Sequence, residues 1–276
     1  MKIWCLFTLI FSIVKTNAQT LGGNAIFNFV KQPNTAQLSS LGGVNISIIS
    51  NDVGMAFHNP ALLRSEMHGH VNTSFNAFVA GVKNYSLTTA YHSAKYNTNF
   101  SFGLNYFNYG NIVQTDASGN ELGTFKPNDY VVQFAGSRQY KEKWFYGATI
   151  KFINSQYAQY KSNGLALDVG VTYSDTINHL QASVVVKNMG SQLKTYDGSN
   201  RKEELPFDLQ AGLTKRLAKA PLQFSITAHN LHRFNIYNND TAFLAEEGDE
   251  GFRDKKFTIA KIVSHLVLST QAYIGD

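Results

Sequence analysis

From residue 71 onward, apolar positions alternate with small or polar ones at period two, the spacing that sends successive side chains to opposite faces of a β-strand. Phe100, Phe102, Leu104 and Tyr106 alternate with Asn99, Ser101, Gly103 and Asn105, and Leu165, Leu167, Val169 and Val171 alternate with Ala166, Asp168, Gly170 and Thr172. Trp144 to Phe152 and Leu222 to Ala228 repeat the pattern. It predicts ten strands, over residues 71–80, 85–92, 99–108, 130–139, 144–154, 164–174, 179–188, 207–217, 222–230 and 265–274. Their lengths suit strands that cross a bilayer at a tilt. A soluble β-sandwich would pair an aliphatic inner face with a charged outer one. Here the second face instead holds Asn72, Ser74, Asn76, Ser101, Asn105 and Thr149, followed by Asp168, Gln210, Thr214 and Gln223. Such a face fits a water-filled lumen.

The connections alternate in length, as they do in barrels with short turns at one end and long loops at the other. Residues 94–98, 141–143, 175–178 and 218–221 form short links, whereas 109–129, 155–163, 189–206 and 231–264 are longer; only 81–84 departs from the rule. With the long loops external, the first strand rises from the periplasm and the N-terminal segment lies at the short-turn end. Gly275-Asp276 reads as the opening of a hairpin turn, which leads to the expectation of a barrel lacking its closing strands.

Composition adds a compartment. Lys2, an apolar run from Ile3 to Val14 and then Thr16-Asn17-Ala18 form a secretory signal peptide over residues 1–18, the run being too short to span a bilayer as a helix. Removing it takes away Cys5, the single cysteine, and with it thiol catalysis, disulfides and thiolate metal sites. The formal charge of +5 falls to +3 without Lys2 and Lys15, too little to suggest nucleic acid. Only 16% of residues are charged while 13% are aromatic, a balance that suits a lipid-facing surface better than a soluble domain.

Residues 19–68 do not read as spanning strands, and they form a plug-like segment ahead of a barrel over 69–276. Leu41-Gly42-Gly43-Val44-Asn45 leads into Ile46, Ile48 and Ile49, then Asn51-Asp52, then Phe57-His58-Asn59-Pro60-Ala61-Leu62. Glycine pairs permit positive φ, and Asn59 with Pro60 makes an N-cap and first-turn pair for a short helix over 61–67. A double glycine (Gly42, Gly43), a downstream Asp52 and then Asn59-Pro60-Ala61 resemble the outer-membrane barrel family of PorV and PorQ, itself similar to the FadL-type transporters. Asn24-Ala25-Ile26-Phe27-Asn28-Phe29 and Phe57 to Leu63 are nearer the PorQ branch. The likeness extends over most of the mature chain, including Gly119-Asn120 and Gly123-Thr124-Phe125.

This resemblance implies an all-β, antiparallel transmembrane barrel, FadL-like, with about 14 strands when complete. It further implies a non-enzymatic component of the type IX secretion system of Bacteroidetes, in the bacterial outer membrane with loops at the cell surface. There the barrel would hold PorZ, in company with PorV and with PorU, the sortase that joins cargo to lipopolysaccharide. The alternative is a FadL-like channel for hydrophobic small molecules, which needs an apolar pocket where the alternation places a polar lumen.

Other chemistry is weaker. His68 with His70 lacks a carboxylate at ligand spacing, and His229 with His232 sits at a strand end entering a loop, which reads as an interfacial position. The run Glu246, Glu247, Asp249 and Glu250 lacks the alternating spacing of a calcium loop and reads as a solvated acidic loop or a partner-contact loop for a basic surface. Asp168 and Asp208 fall on the lumen face, where Lys151, Lys187 or Arg216 could pair with them. The sequence has no nucleophile elbow, His-Glu-x-x-His pair or phosphate-binding glycine loop, so neither a catalytic residue nor a cofactor is assigned.

Overall fold

A computed structural model describes residues 25–233 and 259–273. The chain divides into two units, Met1–Gly22 with Asn235–Ser264, and Gly23–Phe234 with His265–Asp276. The described part of the first is a short helix over Ile259–Ser264, in which the Ser264 hydroxyl donates to the Lys261 carbonyl at 2.7 Å. The second unit holds the sheet. The acidic run Glu246 to Glu250, residues 1–18 and the last three residues lie outside the described residues.

All ten expected strands are present, in one antiparallel sheet in which each pairs with the next along the chain. They are β1 (Val71–Ala77), β2 (Lys83–Ser93), β3 (Thr98–Asn108), β6 (Asn128–Tyr140), β7 (Trp144–Tyr157), β8 (Tyr160–Asp175), β9 (Leu180–Lys194), β10 (Asp208–Arg216), β11 (Leu222–Ala228) and β12 (Leu266–Ala272). A separate hairpin, β4 (Ile112–Thr115) with β5 (Glu121–Phe125), stands in the connection from β3 to β6. Among the described residues, β1 and β12 each pair on one side only.

The polarity of this sheet is inverted relative to a water-soluble one. Its exposed face carries Phe75, Tyr91, Phe134, Ile150, Val184 and Leu268, each more than half exposed, whereas Asn105, Gln133, Thr149, Lys151, Asp168 and Thr172 on the other face are almost wholly buried. The apolar face has a sharp edge. Across the sheet, Phe75, Tyr85, Tyr106 and Tyr130 lie in one register row, and the next outward row reads Lys83, Asn108, Asn128, Gln156 and Lys161. From Tyr85 to Tyr91 the band is six residue steps tall, roughly 20 Å at about 3.3 Å per residue.

Two expectations about connections are corrected. Residues 155–163 are not a long loop, because β7 and β8 continue as a regular ladder to Tyr157 and Tyr160 around a two-residue turn. Likewise 189–194 belong to β9, which passes a bulge where Asn188 adopts φ 55. The bulge places Lys187 and Asn188 both on the buried face and shifts the phase of the alternation. Beyond it Gln192 turns inward while Met189 and Leu193 turn outward, so polar-in and apolar-out survive an interruption in the sequence pattern.

Residues 25–67 pack on the polar face. The segment starts where the long connections are, with Ile26 N–H donating to the Glu204 carbonyl at 3.0 Å. It reaches the short-turn end at Ile49, whose N–H donates to Gln181 Oε1 at 3.0 Å. It therefore runs the depth of the sheet and is not confined to the short-turn end as expected. Its own apolar core is Leu38, Leu41, Ile48, Met55 and Leu62. The helix expected over 61–67 is absent. Two 3-10 turns, Pro60–Leu62 and Ser65–Met67, replace it, because the Leu63 carbonyl between them accepts from Ser137 Oγ at 2.8 Å and Asn99 Nδ2 at 3.4 Å on the sheet. Met67 N–H, which a continuous helix would direct to that carbonyl, donates to the Arg64 carbonyl at 3.2 Å instead.

Close approach depends on glycines in the wall. A Cβ on Gly147 would lie 2.7 to 2.9 Å from Pro60 atoms, two of them backbone, and one on Gly103 would lie 2.8 Å from the Phe57 ring. Gly136, by contrast, has only ordinary contacts with Phe100 at 4.0 Å. Gly147→Ala should accordingly lower unfolding free energy by about 1–3 kcal/mol through overpacking, with Gly136→Ala neutral or slightly stabilising. Urea unfolding in detergent micelles reads both; equal effects would show that the segment does not press on the wall.

Candidate functional site

The residues of the glycine-to-Asn-Pro motif are joints of the N-terminal segment and its seat. A five-residue helix, α1 (Ala36–Ser40), is capped by Thr35, whose hydroxyl accepts from Leu38 N–H at 3.0 Å. Gly42 and Gly43 end it at φ 86 and 76, with Gly42 N–H donating to Ser39 O at 3.3 Å and Gly43 N–H to Leu38 O at 2.9 Å. This paired closure with left-handed residues is a Schellman motif. Gly42 also lies so near Val267 of β12 that a Cβ would come within 2.7 Å of it. Asp52 caps the 3-10 turn Val53–Phe57 by accepting from Gly54 N–H at 2.8 Å. The same oxygen accepts from Asn72 Nδ2 of β1 at 2.9 Å.

Asn59 is the most fully used side chain. Its Oδ1 accepts from Ala61 N–H at 2.9 Å, and its Nδ2 donates to the Ile46 carbonyl at 2.7 Å and to Thr172 Oγ1 of β8 at 3.3 Å. One wholly buried amide thus caps a turn, ties two parts of the segment together and fastens both to the sheet. Pro60 follows at the first turn position, where its missing N–H costs nothing.

Beside this seat the sheet buries a group of charges. Lys151 of β7 and Asp168 of β8 form an ion pair at 2.5 Å with side chains 2% and 0% exposed. Asn188 at the bulge completes it. Its N–H donates to Asp168 Oδ1 at 2.7 Å, its Oδ1 accepts from Lys151 Nζ at 3.0 Å, and its Nδ2 donates to the Pro206 carbonyl at 3.0 Å. Lys187 donates to His58 Nδ1 of the segment at 3.0 Å. His58 therefore carries its proton on Nε2. Burial first, then the positive fields of Lys187 and Lys151, hold the imidazole well below its ordinary pKa. Asp208, directly across from Lys187 in the ladder, accepts from Gln210 Nε2 at 2.7 Å and Asn230 N–H at 2.6 Å.

Of the pairings the sequence offered, Lys151 with Asp168 is realised directly. Arg216 is elsewhere, its guanidinium 4.3 Å from the Tyr273 ring centroid. Nothing in the alternation marked His58 or Asn188, because a turn in the segment and a bulge in β9 place them. A second polar group also went unread: Asp129 accepts from Tyr109 Oη at 2.6 Å, Tyr157 Oη at 3.3 Å and the Ser155 hydroxyl, with Tyr196 Oη donating to Ser155 at 2.5 Å.

His68 Nδ1 accepts from His92 N–H at 3.0 Å, and His229 Nδ1 lies 2.8 Å from Asn230 Nδ2. No group of three His, Cys, Asp or Glu side chains able to hold a metal exists among the described residues. Near the long connections, a polar recess of about 700 Å³ is lined by Gln192, Tyr196, Asp197, Arg201 and Glu203, among others. The arrangement can hold a segment in place and present loops. No protein-family profile matches the sequence, and no curated protein is significantly similar to it.

Two measurements probe the buried charges. Lys151→Met leaves Asp168 buried without its cation and should cost about 3–5 kcal/mol, whereas Lys151→Met with Asp168→Leu should recover most of that loss; a double variant as unstable as the single would mean that the pair is not the coupled unit. For His58, the unfolded imidazole takes a proton near pH 6.5 while the folded one does not. Stability contributed here is therefore complete above that pH and falls as pH drops toward the depressed folded value. His58→Gln keeps an acceptor for Lys187 and should flatten the stability difference between pH 7.5 and pH 5. Parallel profiles for the two proteins would refute the assignment.

Proposed function

We propose that this chain is an outer-membrane β-barrel that acts as a binding and assembly component of a secretion machine, not as an enzyme. The observation that carries the membrane part is the inverted sheet, with its apolar face exposed and its polar face buried. In water, an exposed apolar surface spread over ten strands would drive aggregation; against lipid it is the stable arrangement. Aromatic residues at both borders support the same reading, with Phe75, Tyr85 and Tyr106 at one and Tyr91, Trp144 and Tyr173 at the other. Such belts suit the headgroup level. No described helix is long and apolar enough to cross a membrane.

The secretion role rests on the resemblance of Gly42-Gly43, Asp52 and Asn59-Pro60 to the PorV and PorQ family. PorZ, PorU and PorV, with lipopolysaccharide, are the partners this reading implies. A scaffold is favoured over a channel for hydrophobic molecules because the segment fills the face it meets, through hydrogen bonds such as Asn59 to Thr172 and Ser137 to the Leu63 carbonyl and through an apolar cluster in which Phe27, Phe29 and Phe57 meet Phe107, Val131 and Ile153. A transporter would need an apolar pocket between that segment and the wall.

Affinity capture of the tagged protein from detergent-solubilised outer membranes tests the proposal. Surface-exposed secretion proteins are expected in the eluate, and deletion should leave cargo in the periplasm. If cargo reached the surface normally and no such partner was recovered, the scaffold reading would be wrong.

A further inference from the structure

The two ends of the sheet differ in charge. Within two residues of the four short turns lie six basic residues, Lys95, Lys141, Lys143, Lys215, Arg216 and Lys219, against the two acidic residues Glu142 and Asp175. At the opposite end the described connections carry acids and bases in near balance, with Asp116, Glu121, Asp197 and Glu203 among the acids. At the basic end, beside the turn holding Lys141 and Lys143, the exposed face contains an apolar recess of about 270 Å³. Tyr140, Trp144, Phe145, Tyr146 and Val171 line it. Tyr173 packs edge-on to Trp144 with centroids 5.1 Å apart, and Lys143 forms an ion pair with Asp175 at 2.8 Å. Lys141 stands 5.4 Å from the Tyr140 ring.

Building on the barrel reading, we propose that this end is a docking surface for anionic phospholipid, one acyl chain lying in the recess beside Trp144 and the phosphate facing Lys141, with Lys143 shared between the phosphate and Asp175. The chemistry is complementary on both counts. An aromatic hollow on a lipid-facing wall offers an acyl chain more contact than flat aliphatic surface, and the adjoining lysines attract a negative headgroup across a short distance. The balanced charges at the other end offer no such selection. The phospholipid leaflet would then be the one that meets the short turns, which gives the sheet its direction in the membrane.

Trp144 can report the outcome directly, since the only other tryptophan is Trp4. The full chain carrying Trp4→Phe would be reconstituted in phosphatidylcholine vesicles containing a fixed fraction of brominated phosphatidylcholine or brominated phosphatidylglycerol. Trp144 quenching should indicate about fivefold enrichment of the anionic lipid for each lysine engaged. High salt, or Lys141→Gln with Lys143→Gln, should bring the two lipids to parity, while Lys83→Gln with Lys161→Gln at the other end should change nothing. Equal quenching by both lipids in the unaltered protein would overturn this inference and leave the barrel reading standing. No quenching by either would overturn the barrel reading itself. Preferential relief of quenching by lipopolysaccharide would assign the surface to the opposite leaflet, and the proposal would fail.

Discussion

A sheet that buries its polar face must find partners for every polar group it takes out of water, and the rest of this structure follows from that demand. An unpaired buried donor or acceptor costs about 1–3 kcal/mol, so apolar side chains alone could not fill the space against β2 to β10. The N-terminal segment meets part of the demand, with backbone as much as with side chains. The Phe57 carbonyl accepts from Gln133, the Leu63 carbonyl from Ser137, and the Asn34 carbonyl from Ser74. Irregular backbone is useful here for the reason it is costly elsewhere: its carbonyls are not committed to a helix or ladder.

Glycine placement is the second half of the same constraint. Gly147 and Gly170 are direct partners across β7 and β8, and together they make a flat patch on which Asn59, Pro60 and Ala61 rest. A side chain at either position would hold the segment away and open the hydrogen bond from Asn59 to Thr172. The resemblance motif thus has a mechanical content independent of any family: Gly42-Gly43 ends a helix, Asp52 caps a turn and reaches β1, and Asn59-Pro60 lies on the paired glycines.

The strands were legible because polar-in, apolar-out alternation is imposed by two different surroundings at once, so both faces carried signal. Legibility failed where one surrounding changed. From the row of Tyr130 onward, the outward positions of β7 and β8 become Asn154, Gln156, Lys161 and Asn163; the ladder continues while the hydrophobic contrast disappears, and a hairpin reads as a loop. At Asn188 the pattern changed phase instead, and a bulge reads as a strand end. The contacts of residues 25–67 were not legible, since non-periodic backbone takes its conformation from the wall it meets. The pairing of Lys151 with Asp168 could be offered from face assignment alone, but His58 enters that neighbourhood from a turn whose position no periodicity encodes.

The Lys151, Asp168 and Asn188 group explains why the phase change is tolerated where it occurs. A bulge leaves one residue of its strand out of the ladder, and here the N–H of that residue is taken up by a buried carboxylate that also needs a cation. Closing the bulge would separate the Asn188 N–H from Asp168, leave a buried charge short of a donor, and turn Met189 and Leu193 toward the polar face. A one-residue slip reverses every side chain beyond it, so the ion pair and the bulge determine each other's position. What the buried charges contribute is therefore register more than net stability, since replacing such a pair by apolar groups is often close to neutral. That register is what keeps the outer half of β9 apolar outward, and with it the continuity of the exposed face on which the membrane reading depends.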